Sequence, residues 1–196
     1  MFKCLKGMFR NNREMPQADQ GENNQGGNYT SLAKLEHVEF IVGEILKGSA
    51  TGNYNRSYAI APEMLLPGLR KQVRESIQHN YHSVSDEEVV TSIISIGYIN
   101  NEVSGFCWST KPLAKTFELH MLSVGEGKRN MGLGKALLQD ALASFPEGSQ
   151  VIARIYKDEF KTDHSRSMLN ILAEEGFTEP AEQPNTKTTL FSKELP

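Results

Sequence analysis

The stretch from Phe117 to Ser144 constrains this chain more than any other. It reads FELHMLSV, then GEGKRNMG, then LGKALLQDALAS: a strand, a glycine-bearing loop, and a helix whose apolar face carries Leu133, Leu137, Leu138, Ala141 and Leu142. A loop that passes from a strand end into a helix from about Gly132 leaves backbone N–H groups unpaired at the positive end of the helix dipole, which makes an anion site. Gly132 and Gly134 remove side chains where a phosphate must come close. Arg129 and Lys135 add positive charge beside it, with Lys128 further off. Two better-known phosphate loops fail on spacing. A Walker A loop ending in Gly134-Lys135 needs Ser or Thr where Ala136 stands and Gly where Arg129 stands. A dinucleotide fingerprint begun at Gly125 or Gly132 meets Asn130 or Leu137 in place of its third glycine. What remains is R-x-x-G-x-G, suited to a pyrophosphate.

The flanking elements follow from periodicity. From Ser31, apolar residues Leu32, Leu35, Val38, Val42, Ile45 and Leu46 recur at helical steps until Gly48 supplies a stop signal, and a second helix is expected from about Pro67 with Leu69, Val73 and Ile77 facing inward. Val89 to Ile99 is apolar on both faces, as an interior strand should be. It turns at Asn100, Asn101 and Glu102 into a partner over Val103 to Thr110. Val151 to Tyr156 predicts a further strand and His164 to Glu175 a helix that Gly176 ends. Phe177 onward and Thr186 to Ser192 predict a last hairpin. The fold class is therefore α/β (α+β), a mixed central sheet flanked by helices.

With 196 residues the chain suits one domain and a tail. Residues 1–29 are expected as a disordered polar tail, rich in Gly, Gln and Asn and unable to bury enough surface to offset its ordering entropy, and residues 30–196 as the folded domain. A net charge of -3 argues for neither nucleic acid nor an acidic membrane as partner. No apolar run approaches the roughly 20 residues of a membrane span, and the basic start MFKCLKGMFR lacks a signal-peptide core. These readings point to a soluble, cytoplasmic protein without integral membrane association. Delivery as an effector, a homodimer and a partner contact through the tail stay open. Cys4 and Cys107 are read as reduced thiols, and no metal-ligand spacing is present.

Taken with its element order, the chain resembles the GNAT superfamily of acyl-CoA-dependent N-acyltransferases from about Ser31 to the C-terminus. LHMLSV before the loop, GKALLQDAL after it and the later LNILAEEGF carry the likeness. The resemblance implies a GNAT-like fold and acetyl-CoA as co-substrate, with no metal. Backbone N–H groups of Arg129, Asn130, Met131, Gly132, Leu133, Gly134 and Lys135 would cradle the pyrophosphate. The splayed strand end at Leu122, Ser123 and Val124 would pair with the pantetheine arm, and Ser165 would stand where the family often has a CoA-touching asparagine. A bulge in that strand would aim one N–H at the thioester carbonyl.

Transfer to an amine requires deprotonating an ammonium, which for a lysine-like group at pH 7 costs roughly 4 to 5 kcal/mol. Strict alternation places Glu118 and His120 on one face with Leu122 and Val124, opposite Phe117, Leu119 and Met121. Either Glu118 or His120 can serve as base, as the family often uses a Glu or His here. Phe106 and Trp108 share a face of the hairpin and are candidates to wall the amine site. In the last helix the family's usual acid, a tyrosine, is replaced by Leu172. Two functions follow: an N-acetyltransferase acting on a primary amine of a small molecule, peptide or protein, or an acyl-CoA-binding sensor or scaffold of the same fold with little or no turnover.

Overall fold

The computed structural model describes residues 27–85, 87–156, 163–180 and 188–196, with the main chain alone at 156 and 163–165. The expected tail, up to residue 26, lies outside the described residues. Asn28 and Tyr29 do not belong to it. They open strand β1 (Asn28–Leu32), which pairs antiparallel with Ile99 to Ser95. Strands β2 (Tyr81–Ser83), β3 (Val89–Ile99), β4 (Glu102–Leu113), β5 (Thr116–Val124), β6 (Gln150–Tyr156) and β7 (Thr188–Glu194) complete a seven-stranded sheet. Its order is β1-β3-β4-β5-β6-β7, with β2 beside β1 on the β3 edge. All pairings are antiparallel except β5 with β6.

The helices differ from expectation at their ends. After a 3-10 turn at Leu35–His37, α1 spans Val38–Thr51, and Gly48 lies inside it rather than ending it. The stop is Gly52, at φ 81°. There the amide of Gly52 donates to the Ser49 carbonyl and that of Asn53 to the Gly48 carbonyl, the paired bonds of a Schellman motif. A four-residue helix α2 (Ser57–Ile60) follows. The third helix, α3 (Pro62–His79), begins one turn earlier than expected, with Pro62 at its start and Pro67 inside. The hairpin turn is as expected: Asn100 and Asn101 hold φ values of 52° and 65°, the left-handed pair that a two-residue turn between twisted strands requires.

Helices α1 and α3 cover one face of the sheet, where Val38, Ile41, Val42, Ile45, Leu69 and Val73 pack on Ile94, Ile96, Phe106 and Trp108. On the other face lie α4 (Leu133–Ser144) and α5 (Asp163–Glu174). Leu133, Leu137, Leu138 and Leu172 pack there on Phe117, Leu119, Leu122 and Val151. Cys107 is a buried free thiol on this second face, and burial pushes its pKa up to about 12. Among the described residues, no helix is long and apolar enough to cross a membrane.

Candidate functional site

The sheet opens in its middle. β5 and β6 pair only from Thr116 with Gln150 to Leu119 with Ala153, and beyond that point His120 to Val124 have no β6 partner. The parting strands leave two adjoining clefts, of about 350 Å³ and 340 Å³, which share Leu122 and Met168.

The first cleft is lined by Val124, Arg129, Asn130, Gly132, Leu133, Gly134 and Lys135 together with Met168, Asn170, Ile171 and Glu174 of α5. Helix α4 starts here with no side chain capping it, so its first amides face the cleft without an internal partner. Gly132 holds φ 81°, and a Cβ there would meet only Asn28 Nδ2 at 3.6 Å. What demands glycine is the backbone conformation, not a crowded protein wall. Asn130 is also left-handed, at φ 63°. The Arg129 Nε donates to the Val124 carbonyl at 3.3 Å, tying the loop to the end of β5. Lys135 bridges to Glu174 at 2.8 Å and Lys128 to Glu102 at 2.7 Å, so both cations already carry carboxylate partners.

Two expected binding residues stand elsewhere. Ser123 is buried on the opposite face, where it pairs with Phe106 and hydrogen-bonds with the Tyr54 hydroxyl. Met131 is exposed, and its carbonyl accepts a hydrogen bond from Asn28 Nδ2 at 2.5 Å. The Ser165 side chain lies outside the described residues, as does that of Tyr156. The α5 residues that line the cleft were not anticipated. Met168 and Ile171 pack on the core beside Leu169 and the buried Leu172, a pattern that spacing alone assigns to ordinary packing.

The second cleft is lined by Asn53, Tyr54 and Asn55 from the turn after α1, by Tyr58 of α2, by Glu118 to Leu122, by Ala153 to Ile155, and by Met168, Leu172 and Thr188. The alternation expected for β5 fails here. Met121 pairs with Trp108 and Leu119 with Ser109, so His120 is an extra residue opposite none, a β-bulge. The bulge flips the parity that follows it. Leu122 and Val124 therefore join Phe117 and Leu119 on the α4 face instead of sharing a face with Glu118, while Met121 packs on the α1 and α3 side.

Glu118 is partly buried and forms an ion pair with Arg154 of β6 across the fork. His120 stands edge-on to Trp108, ring centroids 5.2 Å apart. Its imidazole pKa is lowered, first by the protein walls that strip water from the ring. Glu118 opposes that shift and Arg154 adds to it. At neutral pH the ring is uncharged and able to accept a proton. Phe106 and Trp108 themselves are fully buried core residues and line neither of these two clefts. Trp108 also meets His82 edge-on from another side, at 5.3 Å, and its indole N–H is buried without a partner among the described residues.

Tyr54 was missed entirely by sequence reasoning. The Schellman turn folds the chain back so that its ring lies on Gly48, and its hydroxyl donates to the Leu122 carbonyl at 2.8 Å. One acceptor position of Leu122, expected to be left for a ligand, is thus taken by the protein. Burial raises the Tyr54 pKa well above the ordinary phenol value, so the hydroxyl stays protonated. Leu172, standing where an acid was expected, is buried and forms part of the wall. Among the described residues, no group of three His, Cys, Asp or Glu side chains is placed to hold a metal ion.

A family model described as Acetyltransferase (GNAT) family matches residues 57–169. No curated protein matches the sequence. Solved structures do match the fold. An N-acetyltransferase from Staphylococcus aureus Mu50 is 17% identical with a TM-score of 0.62, over 87% of this chain and 99% of that one. The PaiA N-acetyltransferase of Thermoplasma acidophilum, in complex with coenzyme A, is 14% identical with a TM-score of 0.60, over 86% and 99%. A GNAT-family acetyltransferase from Bacillus cereus ATCC 10987 is 17% identical with a TM-score of 0.59, over 87% and 99%.

Proposed function

The chain belongs to the GNAT acetyltransferase family, and from that premise we propose that it is an N-acetyltransferase moving the acetyl group of acetyl-CoA to a primary amine. One observation carries the reading. The fork between β5 and β6 joins a cleft at an uncapped helix N-terminus to a cleft holding His120 and Glu118. The solved PaiA enzyme, similar in fold, binds coenzyme A.

The residues present fit such a donor. The open side of Gly132 lets a phosphate approach the amides of Leu133, Gly134 and Lys135, and the adjoining Val124, Met168 and Ile171 offer an apolar wall to the pantetheine arm. The edge of β5 from His120 to Val124 that β6 leaves uncovered offers that arm strand-like hydrogen bonds, through the acceptor positions of Leu122 and Val124 that Tyr54 and Arg129 do not take, and the bulge at His120 supplies an N–H for the thioester oxygen. Acetyl-CoA supplies the activated acyl carbon. As the C–N bond forms and the C–S bond breaks, two protons leave the incoming ammonium, one for solvent and one for the departing thiolate.

His120, neutral at pH 7, takes the first proton and passes it to solvent along its exposed edge. Glu118 sits beside it and holds the ammonium before transfer. For the second proton, the protonated phenols among the lining residues belong to Tyr54, whose hydroxyl is already donated to the Leu122 carbonyl, and to Tyr58. A second reading, acyl-CoA binding with little or no turnover, is favoured by one feature: the buried Leu172 in place of an acid.

Thiol release from acetyl-CoA with a panel of primary amines separates the two. Amine-dependent release at a rate that saturates in both substrates supports the enzyme. Tight CoA binding without release across the panel supports the second reading, and absence of CoA binding refutes both.

A further inference from the structure

The acceptor cleft has an unusual balance of charge. Among its described lining residues the ionised groups are Glu118 and Arg154, paired with each other, and His120 is uncharged at neutral pH. The lining as described is neutral. An acceptor arrives as an ammonium, and to reach the fork it must stand next to Glu118, the one carboxylate there. A simple amine or a polyamine that did so would draw Glu118 from its partner and leave the half-exposed Arg154 guanidinium without a counter-ion among the described lining residues.

An acceptor that brings its own carboxylate avoids that cost. Its ammonium takes Glu118 and its carboxylate takes Arg154, so one ion pair becomes two and no charge is left alone. Arg154 is built for this exchange. It stands on β6 one residue past the last pairing with β5, its side chain is 45% exposed, and it meets Glu118 through Nη1. Among the described residues its other guanidinium N–H groups have no partner, and they form the fork that holds a carboxylate through two bonds.

Geometry narrows the class further. Because Glu118 and Arg154 touch, the ammonium and carboxylate that replace their contact must be close together, as they are when both are borne by one carbon. A lysine side chain of a protein does not satisfy this. The rest of the lining mixes apolar and aromatic side chains, Tyr58, Met121, Ile155, Met168 and Leu172 among them, with the polar Asn53, Asn55 and Thr188. Resting on the acetyltransferase reading above, we infer that the acceptor is a free α-amino acid, its α-ammonium beside Glu118 and its α-carboxylate on Arg154. Transfer then forms the amide C–N bond at the α-nitrogen, breaks the thioester C–S bond, and yields an N-acetylamino acid, the free thiol and one proton to solvent.

The test uses the full chain saturated with CoA. Binding is read first, by calorimetry, for phenylalanine, phenylalanine methyl ester, phenethylamine and spermidine, with leucine and isopentylamine as a second acid and amine pair. The carboxylate-bearing members should bind at least about tenfold more tightly than their ester and amine counterparts, the range of a charge-assisted hydrogen-bonded contact. In Arg154→Ala that preference should collapse towards one while CoA affinity is kept, which also shows that the variant is folded. Arg154→Lys should restore part of it. Equal or tighter binding of the amine or ester, no binding of any acid, or a preference that survives Arg154→Ala overturns the inference. Thiol release is measured separately: preferential binding of the acids without release leaves the inference standing and refutes turnover instead.

Discussion

Replacing Gly48 by alanine separates helix propensity from site architecture, because the two push stability in opposite directions. Alanine inside α1 gains about 0.5–1 kcal/mol over glycine. At this position, however, the new Cβ would stand 2.2 Å from Tyr54 Cδ2 and 2.5 Å from Cε2, far inside any real contact, so the ring must leave its seat. Overpacking of this kind costs about 1–3 kcal/mol. Loss of the 2.8 Å bond from the Tyr54 hydroxyl to the Leu122 carbonyl adds about 0.5–1.5 kcal/mol. The net loss centres on about 2 kcal/mol, or roughly 4–8 °C in Tm for a chain of this length.

Urea unfolding followed by far-ultraviolet circular dichroism and by the emission of Trp108, the single tryptophan, measures it. Gly43→Ala in the same helix is the control. Its Cβ meets nothing within 4 Å, so it should stabilise by about 0.5–1 kcal/mol. Because Tyr54 lines the acceptor cleft and not the donor cleft, Gly48→Ala should also raise the acceptor KM while CoA affinity changes little. A Gly48→Ala protein as stable as the Gly43→Ala control would refute the account of how Tyr54 is held.

Other outcomes follow from the same geometry. Gly132→Ala should lower stability by about 1–2 kcal/mol, since its φ of 81° is one that L side chains resist. It should also weaken CoA binding at least about tenfold as the loop relaxes; calorimetry with unchanged affinity would contradict the site. His120→Ala and Glu118→Gln should both cut turnover with CoA affinity kept. The acid limb of the wild-type kcat/KM profile should lie below the ordinary histidine value of 6.5, because the folded pKa of His120 is depressed, and a limb above that value argues for another base. His37, His82 and His120 are all depressed chiefly by burial, so the unfolded chain binds their protons more readily. Their stability contribution is complete above pH 6.5 and falls away as pH drops through the folded values, which urea titrations at pH 7.5 and 5.5 should show as a lower midpoint at the acid pH.

The donor side of the site was legible because its signals are local. An R-x-x-G-x-G loop between a periodic strand and a periodic helix specifies its own backbone, and the hairpin at Asn100 and Asn101 specifies its turn. The acceptor side was hidden by three effects that spacing does not express. A single bulge at His120 reverses the parity of every later residue in β5, so alternation assigned Leu122 and Val124 to the wrong face. Tyr54 meets Leu122 across 68 positions, through a turn whose stop residue is Gly52 and not the earlier Gly48. Arg154 gains its role only because β6 parts from β5 one residue before it. The polar strand Asn28–Leu32 escaped notice for another reason. As an edge strand it shows little alternation, and it follows a Gly- and Asn-rich run.

The short pairing of β5 with β6 also bears on how the molecule holds together. β6 and β7, with α5 above them, form a ribbon that meets the rest of the sheet through four residue pairs, while every other junction on the sheet path β1-β3-β4-β5-β6-β7 is longer. A ligand seated in the fork touches β5, α4 and α5 together, so it acts as a clasp between two halves of one sheet. Saturation with CoA should therefore slow amide exchange in both halves at once, including amides of β7 that no part of the donor cleft contacts.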